Sequence, residues 1–334
     1  MQIAIVTGCS TGIGYATALR LANEGCRVYA TVRSEASGSS LVEAAGDLPL
    51  TLLVLDVDDD ASVAAGIASV IAAEGRVDIL VNNAGIAQGE SVELTPLGTF
   101  YSVMNTNAWG SLRCIQGVLP TMRAQRSGCI VNVTSIAGRV ALQGQGAYSA
   151  SKWATEAFSE ALAAETAPFG IRVAIAEPGV VITPIYEKGS FGDPASPYYE
   201  WTLRTGRLLF AGLSNPATPD EAAAVIWEAI VTDDPKLRHT IGRDAEMIAS
   251  SRATLTDEEW IAALATPDDD EWRAHIKQWS GIAAFSRLQQ SPAIGNGGVR
   301  LRGGLCLLVD LLEKRYRGAE VPGKDQSVGY RVVL

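Results

Sequence analysis

Gln2-Ile3-Ala4-Ile5-Val6-Thr7-Gly8-Cys9-Ser10-Thr11-Gly12-Ile13-Gly14-Tyr15 is the stretch that decides the fold. Ile3 to Val6 is an unbroken apolar run, the pattern of a strand buried on both faces of a parallel sheet. Apolar residues then return at helical spacing, at Tyr15, Ala18, Leu19, Leu21 and Ala22. A strand that passes into a helix through Gly8, Gly12 and Gly14 suits a pyrophosphate. Such a backbone turns tightly and approaches closely, and the helix start offers free N–H groups and a positive dipole end. Ser10, Thr11 and Ile13 belong to the same turn. The spacing Gly-x-x-x-Gly-x-Gly departs from the commoner Gly-x-Gly-x-x-Gly, and glycines also serve plain turns. The flanking strand and helix favour a dinucleotide.

The next strand candidate, Arg27 to Val32, runs into Arg33-Ser34, where an acid for the ribose hydroxyls of NAD would stand. A guanidinium at that place can pair with a 2′-phosphate, which favours NADP(H). Ser10 and Thr11 could add hydroxyl donors. An ordinary solvated loop arginine remains the alternative, and Glu35, two residues on, leaves NAD(H) open. Farther along, Tyr148-Ser149-Ala150-Ser151-Lys152 sets a phenol and an amine one helical turn apart on one face. A phenol ionises near pH ~10, and a neighbouring ammonium favours its ionised form. Taken alone, the pair is better explained as a solvated helix face. Ser135 follows the strand-like run Val131-Asn132-Val133-Thr134, a place where hydroxyls often merely cap. By alternation Thr134 points to the other face.

The motifs together resemble the short-chain dehydrogenase/reductase (SDR) family, and within it the 17β-hydroxysteroid and retinol dehydrogenase branch. Thr-Gly-Cys-Ser-Thr-Gly-Ile-Gly and Val-Tyr-Ala-Thr-Val-Arg carry the likeness to that branch. Leu55-Asp56-Val57, Asn82-Asn83-Ala84-Gly85, Asn107-Ala108-Trp109-Gly110, Ser135, Tyr148 to Lys152, and Pro178-Gly179-Val180-Val181-Ile182-Thr183 follow in the family's order. The resemblance implies that Tyr148 exchanges a proton with the substrate oxygen and that Lys152 lowers its pKa and holds the nicotinamide ribose. It implies that Ser135 donates to the substrate oxygen and that Asn107 keeps a water in line with Lys152. Asp56 and Val57 would meet the adenine, and Asn83, Ala84 and Gly85 the adenosine ribose. Pro178, Gly179, Val181 and Thr183 would line the nicotinamide. It further implies a homodimer or homotetramer paired through the helices near 99–124 and 147–168.

Composition agrees with such a chain. Its 334 residues, 47% hydrophobic and 19% charged, can bury a large core. A net charge of −10 argues against nucleic acid. Five cysteines without framework spacing suggest reduced thiols, and Cys9 in the turn is a candidate for alkylation. No Cys-x-x-Cys occurs, and the two histidines, His239 and His275, lie far from the motifs, so no metal is expected. No signal-like stretch precedes the first strand and no apolar run reaches about 18 residues, so a cytoplasmic protein with no membrane span is expected.

Strand patterns fall near 1–6, 27–32, 50–55, 78–81, 128–133, 171–176 and 237–241, and helical ones near 12–24, 60–74, 99–124, 147–168 and 218–231. This alternation predicts an α/β, Rossmann-type doubly wound parallel sheet of about seven strands with helices on both faces. One catalytic domain over 1–279 is expected, with an extension of undefined role over 280–334 that carries a net charge of +4. Residues 184–216 are aromatic and proline-broken, either a lid over a hydrophobic substrate or a surface helix pair packed on the core. The expected activity is interconversion of a hydrophobic ketone or aldehyde and its alcohol. The rival is a non-catalytic NADP-binding regulatory or scaffold protein, which has no need of the proton donor.

Overall fold

A computed structural model of the chain describes residues 1–184, 195–212 and 216–280. Seven parallel strands form one sheet in the order β3-β2-β1-β4-β5-β6-β7. They are β1 (Ile3–Val6), β2 (Arg27–Val32), β3 (Leu50–Val54), β4 (Ile79–Asn82), β5 (Gly128–Val133), β6 (Ile171–Pro178) and β7 (Arg238–Ile241). The doubly wound sheet expected from the alternation is present.

Period-two alternation explains why β1 is apolar throughout. Ala4 and Val6 enter one core, and Ile3 and Ile5 enter the other. The first core is closed by α1 (Gly12–Asn23) through Ala18, Leu21 and Ala22. A late helix, Pro219–Val231, completes it through Ala222, Ile226, Ala229 and Ile230. The second core is closed by α3 (Asp60–Glu74), α5 (Gly110–Gln125) and α6 (Gly146–Thr166). Both faces of every central strand are therefore covered, as a parallel sheet requires.

The long helix expected near 99–124 is in fact α4 (Leu97–Met104) joined to α5 by a π turn at Asn105–Trp109. A short α2 (Ser39–Ala45) also occurs, in a stretch where the sequence suggested no helix. After β6 comes α7 (Tyr199–Gly212), then the core helix Pro219–Val231 as α8. The acidic segment near 245–279 is three helices, α9 (Arg243–Thr254), α10 (Asp257–Ala265) and α11 (Asp269–Ser280). Thr218 and Thr256 start α8 and α10 with capping boxes to Glu221 and Glu259.

Trp260, Leu264, Trp272 and Ile276 of these last helices form a third cluster with Leu208 and Val140. This cluster lies beside the loop after β5, at the carboxyl end of the sheet. Strand order reverses between β1 and β4, and the crevice at such a switch point is where ligands bind in open α/β sheets. Beyond Ser280, the expected extension lies outside the described residues, as do Ile185, Tyr186, Phe191 and Pro194.

Candidate active site

A cleft of about 610 Å³ opens at the carboxyl ends of the strands, within the range of small-molecule sites. Every residue given a catalytic role or a place in the cofactor site from the sequence lines it except Gly14 and Asn107. Those two stand behind its wall. A Cβ on Gly14 would lie 2.4 Å from the carbonyl oxygen of Gly8 and 2.3 Å from Nδ2 of Asn83, so Gly14 serves close packing of α1 on the turn. Gly8 has φ +71° and rests against Ala84, whose Cα would be 2.8 Å from an added Cβ. Helix α1 begins at Thr11 without a side-chain cap and with no acid in its first turn. Free N–H groups over a glycine turn suit a pyrophosphate, so the residues present fit a dinucleotide.

Arg33 is exposed at the rim of the same cleft and has no ion-pair partner among the described residues. Asp56 and Val57 follow β3 and line the same cleft. Asp56 Oδ1 accepts from the Asp58 N–H at 3.1 Å. Sequence reasoning missed the part of Thr7. Its Oγ1 accepts from the N–H groups of Asn83 and Ala84 at 2.9 and 3.0 Å, and Asn83 Nδ2 donates to the Thr7 and Gly8 carbonyls. This knot fixes the β4 turn against the glycine turn.

At the far end, Ser135 caps a short 3-10 turn after β5, its Oγ accepting from the Ala137 N–H at 3.1 Å. The same hydroxyl donates to the Pro178 carbonyl at 3.3 Å and lies beside Tyr148. Burial pushes the Tyr148 phenol above its ordinary value, and the Ser135 hydroxyl opposes that rise. Burial thus acts against the more acidic phenol expected beside Lys152. The lysine does lie close, with Nζ 5.7 Å from the ring centroid. It is buried, donates to the Val133 carbonyl at 3.0 Å, and is pushed down to about 8 by burial, with Glu156 pulling the other way. Thr134 turns its hydroxyl away to Glu156 Oε1, at 2.6 Å.

Asn107 sits in the π turn, which aims an extra residue inward. Its Oδ1 accepts from the Ile86 N–H at 2.8 Å, and its Nδ2 donates to the Ile86 carbonyl and Ser151 Oγ, both at 2.9 Å. The Asn107 side-chain amide is therefore committed to protein partners. A Cβ on Gly85 would lie 3.2 Å from Asn107 Oδ1 and 3.6 Å from Lys152 Nζ, so the three meet at one point.

Two more residues complete the picture. Asp244, at the start of α9, is buried, lines the cleft, and accepts from the Val180 N–H at 2.7 Å. A Cβ on Gly179 would lie 2.3 Å from its Oδ2, which is why the Pro178-Gly179 wall needs a glycine. An acid in a helix's first turn was readable; its meeting with Gly179 across 65 residues was not. Cys9 is fully buried, donates its thiol to the Val6 carbonyl at 3.1 Å, and is pushed well up by burial. The suggestion of a reactive Cys9 is overturned, because only an exposed thiolate reacts readily. The other described cysteines, Cys26, Cys114 and Cys129, are free and buried.

The end beyond Tyr148 is walled by Val140 and Leu142 after β5, Leu208 and Leu209 of α7, and Ile248 of α9. Its hydroxyls turn inward: Thr202 donates to the Tyr198 carbonyl and Thr205 to the Gln143 carbonyl, while Gln143 Nε2 donates to the Leu264 carbonyl. No group of three or more metal-ligating side chains occurs among the described residues, and none of their helices is long and apolar enough to cross a membrane.

Residues 2–190 match the short chain dehydrogenase family. The chain is 34% identical over 267 residues to a 3-ketodihydrosphingosine reductase of Bacteroides thetaiotaomicron, covering 79% of this chain and 96% of that protein. It is 37% identical over 253 residues to 17-beta-hydroxysteroid dehydrogenase type 1 of Mus musculus, covering 71% and 72% respectively. Among solved structures, a short-chain dehydrogenase from Streptomyces avermitilis is similar, with a TM-score of 0.69, 34% identity, and coverage of 86% of this chain and 98% of that one.

Proposed function

The chain belongs to the short-chain dehydrogenase family of oxidoreductases, and we propose that it interconverts a hydrophobic ketone or aldehyde and its alcohol with NADP(H). The observation that carries this reading is the meeting of Ser135, Tyr148 and Lys152 at one end of a cleft whose other end is a glycine turn over an uncapped helix.

A bound nicotinamide supplies or takes up the hydride. Tyr148 delivers its phenolic proton to the carbonyl oxygen in reduction and removes it from the alcohol in oxidation. Ser135 donates to the same oxygen, where negative charge gathers. Lys152, held by the Val133 carbonyl, holds the nicotinamide ribose and supplies the positive charge that a phenolate needs. Asn107 positions the Ile86 backbone and, through Gly85, the surroundings of Lys152. Pro178, Gly179, Val181 and Thr183 hold the nicotinamide end, and Asp56 with Val57 the adenine. Arg33, with no ion-pair partner among the described residues at the rim, meets the 2′-phosphate and sets the preference for NADP(H).

The substrate is apolar because the hydroxyls and the amide of Thr202, Thr205 and Gln143 are satisfied inside the protein. Val140, Leu142, Leu208, Leu209 and Ile248 supply its apolar surface. The names of the relatives, a reductase of a 3-ketosphingoid and a hydroxysteroid dehydrogenase, point to the same class. Exposed Leu97, Tyr101, Trp109 and Trp153 on α4, the π turn and α6 support pairing of copies through those helices. A cofactor-oxidation screen across apolar ketones, run with NADPH and with NADH, tests the proposal. Turnover with NADPH supports it; binding of NADPH without turnover of any ketone would favour a regulatory protein.

A further inference from the structure

Helix α7 contributes Thr202, Thr205, Leu208 and Leu209 to the substrate end of the cleft. What holds it there is a residue outside the cleft, Arg204, which is 5% exposed. Its Nη1 donates to the Thr266 carbonyl at 2.5 Å, its Nη2 to the Pro267 carbonyl at 2.8 Å, and its Nε to Asp269 Oδ1 at 3.0 Å. The guanidinium carbon lies 4.6 Å from the Trp201 ring centroid and 5.5 Å from that of Trp272. A buried cation is tolerated only when its donors are met, and here two carbonyls, a carboxylate and two indoles surround one planar fork. Lysine presents a point charge and cannot reproduce that geometry.

The acceptors belong to the connection between α10 and α11 and to the first residue of α11. One turn on, Arg207 adds a second ion pair to Asp269 at 2.7 Å. Next to Arg204, Thr205 donates to the Gln143 carbonyl, and Gln143 reaches the Leu264 carbonyl at the end of α10. The helix, the loop after β5 and the α10–α11 connection thus close a ring behind the apolar wall, with Leu208 packed among Trp260, Leu264 and Trp272 on its inside.

We propose that Arg204 is a positioning residue that sets substrate specificity: by locking α7 to the Thr266–Asp269 connection it fixes the width of the apolar end of the cleft. The inference rests on the oxidoreductase reading above. It makes the C-terminal helices part of the selecting wall and makes α7 a fixed wall that does not need to close over the substrate.

The test uses the full chain and its Arg204→Lys and Asp269→Asn variants, with NADPH and a short methyl ketone, a long methyl ketone and a bicyclic aryl ketone. Loosening the wall should leave the NADPH Kd and the kcat on the short ketone within about threefold, while the ratio of kcat/KM between bulky and short ketones shifts about tenfold, through KM. Asp269→Asn, which removes one acceptor and spares the arginine, should shift the ratio in the same direction by less. It keeps the test decisive if Arg204→Lys fails to fold. An unchanged ratio, or equal losses on every ketone together with weaker NADPH binding, would overturn the assignment. A wild-type chain that turned over none of the ketones would contradict the proposed function and this inference with it.

Discussion

Arg33 and Lys152 show how a single side chain can carry a functional claim. Arg33 reaches the cleft with no ion-pair partner among the described residues, so a 2′-phosphate would add a charge-assisted contact without breaking another. Such a contact is worth about 1.5–3 kcal/mol. Arg33→Ala should therefore raise the NADPH Kd about 10- to 100-fold and change the NADH Kd little; equal losses by fluorescence titration would refute the phosphate contact. Lys152 is depressed to about 8 from an ordinary 10.5. Between those values the unfolded chain holds the proton that the folded chain has released, so stability from this group rises with pH over that window. Below about 8 the buried charge imposes its full penalty. Relative to Lys152→Met, the wild type should gain about 2 kcal/mol between pH 7 and 9.5 in urea unfolding. A flat difference would show that the amine is not desolvated as described.

At the scale of elements, apolar runs placed the seven strands well, because a strand buried on both faces has nothing polar to blur its edges. Thr218-Pro219 with Glu221, a capping box with proline at the first turn, marks the start of α8 equally clearly. Helix α2 escaped because its seven residues are too few to show a period. The π turn escaped for a different reason. Nothing in Asn105-Thr106-Asn107-Ala108-Trp109 signals an extra residue, since its cause is the distant backbone of Ile86, which Asn107 satisfies on both its N–H and its C=O. Asn107→Ala should leave both groups unpaired and cost about 3 kcal/mol of stability, measured by chemical unfolding. A loss well below 1 kcal/mol would mean that water replaces the amide.

For the whole molecule, the site was legible wherever its residues are neighbours in sequence and hidden wherever the fold supplies the neighbour. Tyr148 and Lys152 stand one helical turn apart, and the other motifs of the chain, read in order, give that pair its meaning. Thr7 against Asn83, Asp244 against Val180, and Arg204 against Thr266 exist only once the sheet and the last three helices have come together. The burial that raises Tyr148 and lowers Lys152 is equally a property of the assembled chain. All of this places one phenolic proton beside a serine hydroxyl and an amine. The central claim is that this proton goes to the substrate oxygen. Tyr148→Phe removes the hydroxyl and leaves the ring, and NADPH oxidation with an apolar ketone should fall about a thousandfold while the NADPH Kd stays within about threefold. Retained turnover in that variant, with NADPH still bound, would contradict the account.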